Sequence, residues 1–243
     1  PSTRATALAS ATFSLLPFAF SVVLWVSAFS YPLALALALG ALVTYLEARR
    51  RGSLFLHLAA VLLTALAGLA YEGAVVTGLL ILGAEILMVR GKVSHWPALH
   101  LVASAVPLMV ILPFWWTTAP WGVPQSILDI AIAIQALAYP VAPLASLAQR
   151  WGASGIAAMA VLGAGTILAL AYGARKARHL SSFCFGLAWA VLWAAVPLVT
   201  QQHDWWRDPP RVMYPAAAGI ALVWAAGLSS PAPHSVSRRG ILI

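Results

Sequence analysis

Apolar residues along this chain come in long runs separated by a few polar positions. The runs are Ala7–Ser27, Leu33–Leu46, Leu54–Ala70, Ala74–Val89, Pro97–Trp116, Ile127–Leu147, Gly155–Tyr172, Phe183–Val199 and Met213–Leu228. They lack the alternation over about ten residues that a transmembrane barrel strand requires. Alanine and leucine dominate them, and both are good helix formers. A helix needs about 20 apolar residues to cross a bilayer. The pattern therefore predicts an all-α, polytopic integral membrane protein with eight or nine transmembrane segments. Small residues in and just before the seventh run (Gly152, Ser154, Gly155, Ala158, Gly163, Gly165) suit close helix approach in lipid.

Composition sharpens that picture. Of the 243 residues, 62% are hydrophobic and 8% are charged, against about 45–50% and about 25% in soluble domains. So few charges cannot cover a water-facing surface. Residues 1–243 read as one transmembrane helical domain with short loops and no room for a separate soluble unit. The net charge of +8 is carried by small basic groups between the runs, as the positive-inside rule expects. No basic stripe interleaved with aromatics is present, so nucleic acid is not an expected partner. The expected partners are membrane lipids and other membrane-protein subunits, and the expected place is a bacterial-type cytoplasmic membrane. Cys184 is the lone cysteine, which excludes intramolecular disulfides and thiolate metal clusters. A chain that begins at Pro1 leads us to expect a preceding segment.

The basic groups also suggest a topology. They are Arg49–Arg51, Arg90 with Lys92, Arg175 with Lys176 and Arg178, and Arg238 with Arg239. If every run crossed fully, the last two groups would face away from the first two. Pro140 and Pro143 break the sixth run, since proline removes a helix hydrogen bond. A broken or re-entrant sixth segment places all four groups inside. The same topology puts Gln201–Arg211, with Asp204, Trp205, Trp206 and Asp208, on the outer face, where interfacial tryptophans belong.

Few residues are equipped for chemistry. Glu72 lies in an apolar stretch, where an acid is costly unless it faces a cavity or sits at a helix end. It reads either as a first-turn acid of the fourth helix, favoured by the helix dipole, or as a site residue facing an outer cavity. Glu85 lies near the inner end of that helix and is expected to pair with Arg90 or to snorkel. Asp129 reads as a capping acid. His57 and His100 lie about one turn inside their helices, and two such imidazoles could ligate the metal of a haem or a chlorophyll. Structural histidines near the interface are the plainer reading. Lys92 and Lys176 both lie in loops, so no buried amine is available for a retinal Schiff base. No half-helix repeat or intramembrane charge pair suggests a transporter.

Several segments resemble the membrane region of GT-C glycosyltransferases, in particular the TPR-bearing transmembrane O-mannosyltransferases and their bacterial relatives. Those proteins carry a stretch like HPxxxEAVAWVSGR, and Leu16–Phe29 reads LPFAFSVVLWVSAF, with Pro17, Trp25, Val26 and Ser27 in register. Where the family has a lysine–glutamate pair before a long apolar helix, this chain has Tyr71 and Glu72. The family's LLWFLLALLPV, outer loop and ERYLYLPSVGF correspond to Gly186–Leu198, the following loop, and Arg211, Tyr214 and Gly219. The resemblance covers most of the chain. It implies a GT-C-like fold, of which this chain would be the C-terminal portion, and a cavity for a polyprenyl-phosphate sugar. Glu72, Asp204, Arg211 and Tyr214 would line that cavity, with a divalent metal as an accompanying cofactor.

The departures concern polar groups. The family's histidine, glutamate, arginine and lysine are here Leu16, Ser21, Phe29 and Tyr71. Anionic sugar phosphates need cationic or hydrogen-bonding partners, and no catalytic acid is visible. The leading expectation is a catalytically degenerate GT-C-like scaffold or accessory subunit of a larger membrane complex, without cofactor. An active polyprenyl-phosphate-sugar transferase is the first alternative. A haem- or chlorophyll-holding subunit using His57 and His100 is the second.

Overall fold

A computed structural model of the chain describes residues 3–15, 29–89, 94–118, 152–200 and 214–229. The elements there are helices throughout: α1 (Thr3–Leu15), α2 (Ser30–Arg51), α3 (Leu54–Ala70), a 3-10 turn (Glu72–Val76), α4 (Thr77–Met88), α5 (Trp96–Thr118), α6 (Gly152–Lys176), α7 (Leu180–Thr200) and α8 (Ala216–Leu228). Leu16–Ser27, Asp129, Pro140, Pro143, Asp204–Arg211 and Arg238–Arg239 lie outside the described residues, as do Arg90 and Lys92.

The tightest local signal ends α2. Gly52 takes a left-handed φ of 64° and donates its N–H to the Ala48 carbonyl at 2.8 Å. Glycine does this without the Cβ penalty other residues meet. Ser53 then caps α3, its hydroxyl accepting the Leu56 N–H at 3.4 Å. The reversal lays α3 back along α2, and this is the most extensive helix pair among the described residues. The buried faces of the two helices carry small residues at helical spacing: Ala34, Ala38, Ala41, Ala48 on α2 and Ala60, Thr64, Ala67, Gly68 on α3, the last against Pro107 of α5. Short side chains let the two backbones approach closely.

The fourth apolar run is not one helix. Tyr71 is extended at φ −157° and ψ 129°, the 3-10 turn follows, and α4 keeps only 12 residues. Ser104 on α5 accepts the Gly78 N–H at 2.9 Å, which satisfies one of the donors a new helix start leaves open. A Cβ at Gly78 would lie 2.7 Å from the His100 carbonyl oxygen, so its absence lets α4 lie against α5.

This division bears directly on the expected membrane crossings. Among the described residues one helix, α2, is long and apolar enough to cross a membrane. The expectation of eight or nine spans is corrected accordingly. At about 1.5 Å per residue, α3 with 17 residues, α8 with 13 and α4 with 12 fall short of the roughly 30 Å hydrocarbon core. A run of apolar residues measures composition, whereas a crossing needs one unbroken helix of sufficient length.

A second group forms around α8, which packs on α7, α1 and α6. Gly219 and Gly186 bring α8 and α7 together, since a Cβ on Gly186 would meet the Gly219 carbonyl oxygen at 2.8 Å. On the opposite side Gly173 of α6 approaches the Gly227 carbonyl too closely for any Cβ. The close approach of α6 therefore lies at Gly173. Of the small residues expected to mediate it, Gly155 and Gly163 are buried while Ser154, Ala158 and Gly165 are exposed. The two groups meet where α7 crosses α4 and the 3-10 turn, around a shared core that includes Tyr71, Leu80, Trp189, Trp193, Tyr214 and Ile220.

Candidate functional site

Buried polar side chains concentrate where α2, α3, α4 and α5 meet. Glu85 of α4 is 2% exposed, and a carboxylate so placed must have its oxygens filled. Four donors do this. Tyr45 donates its hydroxyl at 2.8 Å, Arg49 its Nε at 3.1 Å and Nη2 at 3.0 Å, and the Ser94 backbone N–H completes the set at 2.8 Å. Among the described residues the partner of Glu85 is thus Arg49 on α2, 36 residues earlier, while the expected partner Arg90 lies outside them. Arg50 and Arg51 instead bond Glu47 one turn back on the exposed side.

His57 and His100 come together around the same tyrosine. The Tyr45 ring lies edge-on to both imidazoles, with centroids 5.7 Å from His57 and 5.2 Å from His100. His57 is 4% exposed and His100 fully buried. The His57 ring stacks on Trp96 at 4.2 Å with the planes 3° apart. Nδ1 of His100 lies 2.8 Å from the Thr64 hydroxyl oxygen. That hydroxyl has a single proton and gives it to the Ala60 carbonyl at 2.9 Å. The Thr64 oxygen thus lies within hydrogen-bond reach of both the His100 ring and the α3 backbone. Neither His100 Nε2 nor His57 Nδ1 has a hydrogen-bond partner.

Of the four candidates for a sugar-phosphate cavity, the described residues contain Glu72 and Tyr214. Glu72 opens the 3-10 turn, half-buried, and belongs to no α-helix. Burial raises its carboxyl above the ordinary value, opposed in part by a backbone hydrogen bond. Tyr214 is 8% exposed and packs edge-on against Phe13 at 5.6 Å. Beside it, Trp189 donates its Nε1–H to the Pro215 carbonyl at 2.9 Å, which anchors the start of α8 on α7. Tyr71 stacks on Trp193 at 6.3 Å and meets Tyr31 edge-on at 4.7 Å. Arg211 and Asp204 lie outside the described residues.

Tyr45, Thr64 and Trp96 are central to the buried cluster and drew no attention in sequence, and Arg49 stands out there only as one of a basic group. A signal was present: Thr64 follows His57 by seven residues, two helical turns, and Trp96 precedes His100 by four, one turn. Each pair lies on one helix face. Among the described residues no three or more His, Cys, Asp or Glu side chains gather as a metal site.

Comparison with known proteins gives no relative. No family model matches the chain. No curated protein matches it. No solved structure matches it.

Proposed function

We propose that this protein is a membrane-associated helical scaffold, an accessory subunit of a larger assembly rather than a transferase. The observation that carries the reading is the use made of the positions shared with the GT-C pattern. Gly219 is spent on the close approach to Gly186, and Tyr214 is buried against Phe13. Tyr71, at the family's lysine position, is a core aromatic stacked on Trp193. Phe29, at its arginine position, is 65% exposed. Core packing groups and one exposed apolar ring stand where a sugar-phosphate cavity would need cations and donors.

Membrane association rests on α2 and on the outward faces of its neighbours. Leu54, Phe55, Leu58 and Leu62 on α3, Val102, Met109 and Val110 on α5, and Val161 and Leu168 on α6 are all exposed. A surface this apolar marks a membrane or protein interaction region. A bacterial cytoplasmic membrane suits the polarity of α2, whose last turn carries Arg49, Arg50 and Arg51 and would face inward.

The test is donor-dependent sugar transfer by the purified chain. The scaffold reading expects no transfer from a polyprenyl-phosphate sugar, and expects Tyr214→Ala to lower the unfolding temperature. Reproducible transfer that Glu72→Gln and Arg211→Ala each abolish, with the fold intact, would establish the enzyme instead.

A further inference from the structure

Two basic helix ends of this molecule are built differently. Where α2 stops, Arg49 pairs with Glu85, Arg50 and Arg51 bond Glu47, and Gly52 supplies the left-handed turn. Where α6 stops, Arg175, Lys176 and Arg178 are all exposed, and among the described residues none of them pairs with an acid. The sequence has no aspartate or glutamate between Asp129 and Asp204. The left-handed position at this end is Arg178 itself, at φ 63°, its N–H donated to the Arg175 carbonyl at 3.1 Å. Glycine takes that conformation freely and arginine does not. The helix end thus keeps a third cation against its backbone preference.

An apolar stripe leads to these cations. Val161, Leu168 and Tyr172 are 70%, 71% and 71% exposed. With Gly165 and Arg175 they follow one another at alternating steps of four and three residues, which places them on one face of α6. A different face of α6, with Leu170, Gly173 and Ala174, packs on α8. From Val161 to Arg175 the stripe runs about 21 Å at about 1.5 Å per residue. One bilayer leaflet with its headgroups is about 20–22 Å deep. Apolar side chains, then an interfacial tyrosine, then cations is also the order in which a leaflet presents hydrocarbon, interface and phosphate.

We infer that this face of α6 binds a phospholipid with an anionic headgroup, its acyl chain along Val161 and Leu168 and its phosphate against Arg175, Lys176 and Arg178. Phosphate oxygens accept charge-assisted hydrogen bonds from guanidinium and ammonium groups. A zwitterionic headgroup offers the same phosphate but carries a cation of its own, which three unneutralised basic side chains repel. A nucleic acid would meet the cations and leave the apolar stripe bare. The inference rests on the membrane-associated reading and adds a lipid class to it.

The experiment equilibrates the full chain in detergent with equal amounts of phosphatidylglycerol and phosphatidylcholine of the same chain length, and measures the bound lipid by native mass spectrometry. Phosphatidylglycerol should be retained in preference, and the preference should shrink as salt rises. Arg175→Gln, Lys176→Gln and Arg178→Gly should each lower it about fivefold, the effect of one basic side chain beside an anionic lipid surface. The triple variant should abolish it. Arg178→Gly should lower the preference while raising the unfolding temperature, a combination that a merely structural arginine would not give. Leu168→Gln should weaken retention of both lipids alike. Equal retention of the two lipids by the folded wild type would overturn the proposal and leave the membrane reading standing, whereas retention of neither would remove both. A preference that Arg50→Gln lowers as much as Arg175→Gln does would be an effect of net charge alone. One that inorganic phosphate displaces at constant ionic strength would belong to a phosphate site and not to a lipid surface. Either result also overturns the proposal.

Discussion

The two halves of the molecule hold their helices together in opposite ways. Where α2 to α5 meet, a buried carboxylate is surrounded by four donors from α2 and from the residue Ser94 ahead of α5. Around α8, among the described residues, the closest approaches are backbone against backbone, through Gly186 with Gly219 and Gly173 with Gly227. A buried charge is tolerated only when its partners are all in place, so the first half is sensitive to chemistry. Glycine contacts depend on the absence of atoms, so the second half is sensitive to volume. The comparison shows why a chain with so few charges still places one at its centre. An ion pair between α2 and α4 rewards one register of those helices, which uniform alanine and leucine surfaces would leave weakly defined.

The largest expected effect follows from emptying the clamp. Glu85→Ala removes the acceptor of the Tyr45 hydroxyl and of two Arg49 N–H groups and should cost about 1.5–3 kcal/mol, the range for hydrogen bonds to a charged group. Reversible unfolding in detergent measures this, and a loss below about 1 kcal/mol would show that water already reaches the carboxylate. The counterpart in the other half is Gly219→Val, which drives a side chain into the backbone of α7. Overpacking of this kind costs about 1–3 kcal/mol, and the loss should be independent of pH and salt. Cross-linking between cysteines placed on α7 and α8 would report whether those helices separate.

A smaller effect sharpens the contrast. Tyr45→Phe keeps the ring against both histidines and deletes one of the four donors to Glu85, which should cost about 1–2 kcal/mol. Arg178 ends α6 at a left-handed φ of 63°, a conformation that costs a side-chain-bearing residue roughly 1–2 kcal/mol. Arg178→Gly should therefore stabilise the protein by about 1 kcal/mol, seen as a raised unfolding temperature.

The last effect concerns Glu72, between the two halves. Its carboxyl is raised above 4.5 by burial, so the folded chain holds that proton more tightly than the unfolded chain. The stability it contributes is complete below pH 4.5 and is lost as the pH rises through the folded value. Glu72→Gln should flatten this part of the stability profile between pH 4 and neutrality. A variant whose profile keeps the wild-type slope would assign that slope to another group.

The amino-acid sequence by itself determined that these segments are helices rich in apolar surface, because helix propensity and hydrophobicity are properties of neighbouring residues. It bounded α3 closely: the run Leu54–Ala70 and the helix coincide. It could mark Glu72, Glu85, His57 and His100 as unusual, since a polar group in an apolar run stands out wherever the helix lies. Only the tertiary structure decided what each of them meets. Glu85 is paired with Arg49 across 36 residues, because the azimuth of α2 against α4 brings the two side chains together. His57 and His100 share Tyr45 because α3 packs between α2 and α5, an arrangement no spacing on either helix encodes. The division of the fourth run between the 3-10 turn ending at Val76 and α4 beginning at Thr77 likewise came from packing. Ser104 of α5 accepts the Gly78 N–H there, a contact that composition does not show.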